Sequence, residues 1–131
     1  MNPILLRRAA ALLLAISSLW CAAGCVAVVA GAGAGAAVAY VRGDLDAVLD
    51  AGLDKSLRAS NRAIDQLKFA KISQKEDALL AIVLARNAAD KRIEIRLEKQ
   101  GESLTKVKIR VGTFGDEVMS MAILDKIRAS L

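Results

Sequence analysis

The chain has 131 residues, a formal net charge of +5 and no histidine. Its length fits one ordinary domain. Without the basic start at Arg7 and Arg8, the excess of positive charge falls to 17 Lys and Arg against 14 Asp and Glu. With aromatic residues at 3%, this excludes the basic, aromatic surface typical of nucleic-acid binders. The lack of histidine removes the commonest metal ligand and the usual base at neutral pH. We therefore expect no nucleic-acid partner, no metal and no cofactor.

The N-terminal segment has the three parts of a secretory signal. The basic start is followed by an apolar stretch over 9–20 and by the small residues Ala22, Ala23 and Gly24, which suit a signal peptidase, with Cys25 directly after them. This pattern resembles a bacterial lipobox. The resemblance implies that the Cys25 thiol takes a diacylglyceryl group, that the chain is cut before it, and that membrane lipid is a partner through the acylated cysteine.

An uncleaved membrane helix is the alternative interpretation of this segment. No charged residue occurs from Ala9 to Ala39, a run longer than the roughly 20 residues that span a bilayer. In that case the chain is a single-pass membrane protein, and Gly31 and Gly35 have the spacing through which membrane helices oligomerise. The many glycines lower helix propensity, however, and favour a tether.

The glycines also imitate a dinucleotide-binding fingerprint. Gly31, Gly33 and Ala36 have the right spacing, but the lipobox stands where the fingerprint requires a strand, so we expect no nucleotide. We predict three parts for the chain: a signal peptide over 1–24, an acylated tether over 25–37 and a single domain over 38–131.

The first elements of that domain are a pair of short extended segments and a helix. The segments 39–41 and 45–49 flank a turn at 42–44, where glycine permits unusual dihedrals. Apolar residues then recur at helical spacing over 52–67, which predicts a core-facing helix capped by Asp50.

A series of strands and a second helix follow. The strands are predicted at 69–73, 79–85, 92–98 and 105–111, the last two as an antiparallel hairpin with alternating apolar and charged residues. Apolar residues on one face predict a closing helix over 116–131. We predict an α+β, two-layer fold behind the N-terminal signal helix: a mainly antiparallel sheet of about four or five strands, with two helices on one side and water on the other.

The solvent faces of the hairpin strands carry more cations than carboxylates. They fit a docking face for anionic headgroups, cell-wall polymer or an acidic envelope protein. We favour the other interpretation, a solvated face whose charged pairs and lysines resist aggregation. The cations of this possible interaction face are Arg92, Arg96, Lys106, Lys108 and Arg110.

Candidate catalytic residues are few. Asp44, Asp46, Asp50 and Asp54 recur at even spacing, but alternation and capping explain them, and the register of an EF-hand loop is missing. The serines have no histidine to activate them. We predict a protein that is not an enzyme, with an unrecognised envelope hydrolase as an alternative.

The junction between the last strand and the last helix has the segment Val-Gly-Thr-Phe-Gly-Asp-Glu. Its threonine and aspartate have the spacing of a capping box, its glycines permit the reversal of the chain, and its phenylalanine can staple the helix start. We assign a structural role to Gly112, Thr113, Phe114, Gly115 and Asp116.

The order of these motifs resembles a domain-of-unknown-function family of short bacterial lipoproteins over nearly the whole chain. The motifs are the lipobox, the Gly/Ala-rich tether, a Tyr-Val-x-Gly-Asp segment at 40–44 and the terminal Val-Gly-Thr-Phe-Gly-Asp-Glu segment. The resemblance implies no established activity. In the sorting pattern of such lipoproteins, Val26 implies the outer membrane, facing the periplasm. We predict a non-catalytic envelope lipoprotein that binds an envelope protein or polymer.

Overall fold

The computed structural model describes residues 37–131, so the predicted signal peptide, Cys25 and nearly all of the tether lie outside the described residues. The elements of the domain, in chain order, are β1 (Val38–Val41), β2 (Asp44–Leu49), α1 (Leu53–Gln66), β3 (Ala70–Glu76), β4 (Leu80–Arg86), β5 (Arg92–Gly101), β6 (Leu104–Val111) and α2 (Glu117–Ala129). Among residues 37–131, neither helix is long and apolar enough to cross a membrane.

The strands form one six-stranded sheet in the order β1-β2-β6-β5-β4-β3, in which all neighbours are antiparallel. The predicted α+β class, with two helices, is confirmed, but the count of four or five strands is wrong. Both short N-terminal segments join the sheet, because β1 and β2 form a hairpin and β2 then pairs with β6. At the other edge, β3 extends to Glu76 and pairs with β4.

The core lies between one face of the sheet and the two helices. Inward residues alternate with outward residues along β2, β4, β5 and β6, as expected for strands with one covered face. The two helices contact each other, α1 packs on β3 to β6, and α2 packs on β2 and β6. The largest fully buried side chains are Leu45, Leu49, Ile64, Val83, Ile93, Ile95, Leu97, Val107, Ile109, Ile123, Leu124 and Ile127.

Helix α1 begins without the predicted Asp50 cap. Gly52 occupies the N-cap position and provides no side-chain hydrogen bond, and Asp50 is exposed two positions earlier. The residue between them contacts the sheet, since the carbonyl oxygen of Ala51 accepts a buried hydrogen bond from Thr105 Oγ1 at 2.8 Å. The chain therefore enters α1 tied to β6, and the Asp50 carboxylate is too early in the chain to cap the helix.

We expect substitutions to alanine to destabilise the domain strongly at the centre of the sheet and only weakly at its edge. Ile95→Ala in β5 removes a fully buried side chain (0% exposed) and should lower the free energy of unfolding by about 2–5 kcal/mol. Ile72→Ala in edge strand β3 removes one that is 53% exposed and should change it by less than about 1 kcal/mol. Chemical denaturation of both variants tests this, and equal losses would contradict the one-sided core.

Candidate functional site

The sheet face opposite the helices is open and carries most of the charge of the strands. We call it the charged face. The cross-strand register places its residues in rows: Asp44 opposite Arg110, Asp46 opposite Lys108, and Arg110 in turn opposite Glu94. It consists of Asp44 and Asp46 of β2, Lys106, Lys108 and Arg110 of β6, and Arg92, Glu94, Arg96 and Glu98 of β5.

All five predicted cations lie on the charged face, and four of them have carboxylate partners. The distances between side-chain nitrogen and carboxylate oxygen are 2.7 Å for Arg110–Asp44, 3.8 Å for Lys108–Asp46, 3.4 Å for Arg96–Glu94 and 3.5 Å for Arg92–Glu94. Lys106 is opposite Glu98 in the register. Each such pair adds little stability on its own, but together they leave only a small excess of positive charge.

Beside the charged face, β4 presents an apolar strip to the same side. Leu80, Ile82 and Leu84 are half-buried there, although no helix covers them. The register places them opposite Glu98, Arg96 and Glu94 of β5, whose long side chains are near enough to shield them. A shallow depression of about 240 Å³, lined by Asp44, Glu94, Arg96, Lys108 and Arg110, lies beside this strip. The open face thus combines charge with apolar surface.

A second depression, of about 450 Å³, lies at the N-terminus of α1. Its charged lining consists of three cations and three carboxylates: Lys55, Arg58, Lys99, Asp54, Asp77 and Glu102. Lys99 and Glu102 form an ion pair at 3.4 Å. The opposite charges of the lining balance, so the depression has no net preference for an anion or a cation.

The turn between β6 and α2 presents the most exposed aromatic side chain of the described domain. We call residues 112–115 the glycine loop. Gly112 and Gly115 have φ of +71° and +86°, values that favour glycine, and Phe114 between them is 91% exposed. The predicted hydrophobic staple is therefore wrong, because Phe114 points away from the helix that it was expected to cover.

The glycine loop is held by a backbone contact with the β1–β2 turn. A Cβ atom on Gly43 would lie 2.5 Å from the carbonyl oxygen of Phe114. One on Gly115 would collide with Gly43 and with the Tyr40 hydroxyl. Glycine is required at both positions, because a Cβ atom on either residue would prevent this approach. The contact fixes the loop against the start of the sheet.

Arg110 joins the same two turns through its guanidinium group. It donates hydrogen bonds to the carbonyl oxygens of Arg42 at 3.2 Å and Thr113 at 2.7 Å, and to Asp44 Oδ1 at 2.7 Å. The planar, multi-donor guanidinium suits this role, which a lysine cannot fill. Arg110, one of the cations of the possible interaction face, therefore holds the two turns together.

Asp116 caps α2 and also connects the start of that helix to the β4–β5 turn. Its Oδ1 accepts a hydrogen bond from the Met119 backbone N–H at 3.0 Å, and its Oδ2 lies 3.1 Å from Lys91 Nζ. The backbone hydrogen bond from Met119, and then the Lys91 ammonium, lower the pKa of the Asp116 carboxyl. The capping box predicted with Thr113 is wrong: Asp116 is itself the N-cap, and the Thr113 side chain is exposed.

The structure therefore brings together residues that the sequence presented separately. Gly112, Thr113, Phe114, Gly115 and Asp116 form one loop, and Arg110 lies at its base. The contact of Gly43 with Gly115 was not predicted, because the two glycines lie in different parts of the chain. The only available signal was a glycine in each of two turns flanking predicted strands. Ala22, Ala23, Gly24 and Cys25 lie outside the described residues.

Fold and face define the class of the molecule: an α+β, two-layer domain with an open, charged sheet face and a rigid loop at one end of it. The chain belongs to the family described as "Protein of unknown function (DUF3568)", whose model matches residues 8–130. The predicted membership of a family of unknown function is confirmed. No curated protein matches the chain.

Substitution of the two loop glycines should separate backbone strain from steric contact. Gly112→Ala places a Cβ in open space, so only its positive φ opposes it, at a cost of about 1–2 kcal/mol. Gly115→Ala adds a collision with Gly43 to the same strain and should cost about 2–5 kcal/mol. Chemical denaturation measures both, and a Gly115→Ala chain as stable as Gly112→Ala would contradict the contact.

The contribution of the Asp116 charge to the free energy of unfolding should disappear in acid. A carboxyl whose pKa is lowered by folding stabilises the protein above its unfolded pKa, and this stabilisation is lost as the pH falls through the folded pKa. Asp116→Asn keeps a capping side chain but removes the charge. The wild type should be more stable than this variant at pH 7, and the difference should shrink below about pH 3.9, the usual aspartate value. A difference in the free energy of unfolding between the wild type and Asp116→Asn that stays constant from pH 7 to about pH 2 would contradict this role of the Asp116 charge.

Proposed function

We propose that the chain is a lipoprotein of the bacterial envelope, anchored through acylated Cys25, whose domain acts by binding and not by catalysis. The observation that carries the proposal is the division of the chain. The core of the described domain is built from residues between Leu45 and Ile127, and its first strand begins at Val38. The lipobox-like segment ends at Cys25. Residues 26–37 are thus available as a tether.

The physical chemistry of the anchor supports stable membrane attachment. A diacylglyceryl group on the Cys25 thiol supplies two acyl chains, and acylation of the new amino group adds a third. One chain holds a protein only marginally, whereas two or more hold it stably. By the sorting pattern noted above, Val26 favours the outer membrane, with the domain in the periplasm.

The contacts of the polar side chains favour binding over catalysis. Asp44 and Asp46, the carboxylates closest to a catalytic pair, are engaged by Arg110 and Lys108. The buried serines of α1 serve the backbone: Ser60 Oγ donates to the Ser56 carbonyl oxygen at 2.8 Å. The open sheet face, in contrast, offers paired charges and a half-buried apolar strip. Such a mixed surface suits an envelope protein or polymer.

A single-pass membrane protein is the second candidate. It is favoured by the uncharged run from Ala9 to Ala39, which is long enough to cross a bilayer. In that case the Gly31 and Gly35 spacing would mediate helix association. The two candidates differ in whether residues 1–24 remain in the mature chain.

Replacing each cysteine in turn should distinguish the two candidates. In the wild type, we expect intact-mass analysis of the membrane fraction to show loss of residues 1–24 and a diacylglyceryl group. Cys21→Ala is the matched control, and its mature mass should equal that of the wild type because the removed signal contains Cys21. Cys25→Ala should lack the acyl mass and leave the membrane fraction or keep its signal.

A Cys25→Ala chain with the mass shift and membrane partition of the wild type would refute lipidation. Retention of residues 1–24 in the wild type, together with a mass difference between the wild type and Cys21→Ala, would instead favour the single-pass protein.

A further inference from the structure

The end of the sheet at the glycine loop presents an apolar protrusion. Phe114 is 91% exposed, and Val118, four residues further along in the first turn of α2, is 82% exposed. Gly115, with a positive φ, and the N-cap Asp116 separate Phe114 from the helix, so the two exposed side chains both lie where the chain enters α2. Most other large apolar side chains of the described domain are buried or half-buried, so this pair is not needed for the core.

The protrusion cannot relax into the domain. The Gly43–Gly115 contact, the Arg110 hydrogen bonds and the Asp116 cap hold the glycine loop from three directions. Because the backbone of the loop is already fixed, a contact made by Phe114 needs no further ordering of that backbone.

The neighbouring turn adds a cation to the protrusion. Arg42 and Gly43 form the two-residue turn of the β1–β2 hairpin with φ of +54° and +87°, so both central residues have positive φ, as in a type I′ turn. Asparagine or glycine is preferred at the position of Arg42, where other residues are strained. The Arg42 side chain is exposed, and its guanidinium makes no hydrogen bond or ion pair with residues 37–131. Strain of this kind points to a function for the residue.

The charges around the protrusion nearly cancel. Lys91 and Asp116 form an ion pair at 3.1 Å, and the exposed residues Arg42 and Glu117 carry opposite charges. A surface with apolar residues at its tip, one free guanidinium beside them and little net charge matches the boundary between phospholipid headgroups and acyl chains. There an arginine binds phosphate while apolar side chains enter the acyl region.

The length of the chain before the domain is compatible with a bilayer contact by the protrusion. Residues 26–37 span at most about 43 Å when extended, and they lead into the first residue of β1, whose other end is the Arg42 turn. The tether is thus long enough for a domain anchored at Cys25 to bring this protrusion to the membrane.

We propose that Phe114, Val118 and Arg42 form a second contact with the phospholipid bilayer, which orients the domain so that the open sheet face stands free for a partner. The proposal rests on the envelope anchoring proposed above. It names the ligand of the loop as a phospholipid surface, with a protein partner as the competing outcome.

A tryptophan reporter tests the contact. The chain has one tryptophan, Trp20, in the predicted signal. Phe114→Trp in a Trp20→Phe background gives a single reporter in the full chain, isolated from its membrane and placed in phosphatidylcholine vesicles with brominated acyl chains. Bromine should quench about half of its fluorescence and the emission should shift to the blue, because interfacial side chains lie roughly 5–10 Å deep. Leu79→Trp in the same background, exposed at the opposite end of the sheet, is the control and should emit as in water.

Two further variants assign the contact to Arg42. Arg42→Asn, added to the Phe114→Trp reporter chain, relieves the strain of the turn, so the chain should be at least as resistant to denaturant as its parent while its quenching falls. Arg42→Lys keeps the charge and should retain most of the quenching. Quenching unaffected by Arg42→Asn would remove Arg42 from the contact and overturn the proposal as stated.

The remaining outcomes also decide between the alternatives. Emission from the Phe114→Trp reporter that resembles water in vesicles, or equals that of the Leu79→Trp control, would overturn the proposal. Emission that is shifted only in native envelopes, and not in vesicles, would overturn it in favour of a protein partner.

Intact mass of the same samples keeps the two proposals apart. An acylated chain whose Phe114→Trp reporter is unquenched refutes the contact alone, and a quenched chain without acylation refutes the anchor alone. A chain neither acylated nor quenched refutes both.

Discussion

The antiparallel pairing of β2 with β6 is the interaction on which the rest of the structure depends. It joins strands from opposite ends of the domain and places Leu45 opposite Ile109, and Ala47 opposite Val107, on the buried face. The closure of so long a loop costs chain entropy, which only the burial of both strands under α2 offsets. The same register brings Arg110 to Asp44 and sets the β1–β2 turn against the glycine loop. Without this pairing there would be neither a continuous sheet nor a fixed loop.

One-sided coverage by the helices explains the chemistry of the open face. A sheet with one solvated face needs polar residues at alternate positions. Opposite charges on neighbouring strands keep this face hydrated and avoid the repulsion that like charges would cause. Strand β4 departs from this rule with its apolar strip, next to the exposed edge strand β3. That edge carries lysines and a bulge near Ile72, features that oppose pairing with another chain. The edge of the sheet is thus protected against pairing with another chain.

The glycine loop shows how a local turn depends on a distant one. Gly43 and Gly115 are both in positive-φ conformations, but their place in the structure comes from their mutual contact. The contact in turn fixes the backbone on both sides of Phe114. The loop, the Arg42 turn and the cap of α2 therefore behave as one unit at one end of the sheet, opposite the β3–β4 and β5–β6 turns. This arrangement gives the domain two structurally different ends.

The sequence by itself determined the secondary structure and the sidedness of the sheet. The alternation of Ile93, Ile95 and Leu97 with charged residues, and the helical spacing of apolar residues, are consequences of the periods of the two regular structures. The N-terminal signal pattern also comes from the sequence alone, and it stays a prediction because it lies outside the described residues.

Tertiary structure alone decided what depends on contacts between distant residues. The sequence predicts β1 only as a short extended segment. It joins the sheet because β2, its hairpin partner, pairs with β6. Local capping rules assigned Asp50 and Thr113 roles that they do not have, because the chain entering each helix is held by Thr105 and Arg110, far away in sequence. Phe114 was expected to pack because it is apolar, and the rigid approach of two glycines turns it outward. The physical reason is the same in each case: a local pattern specifies dihedrals and faces, whereas only packing specifies which surfaces meet.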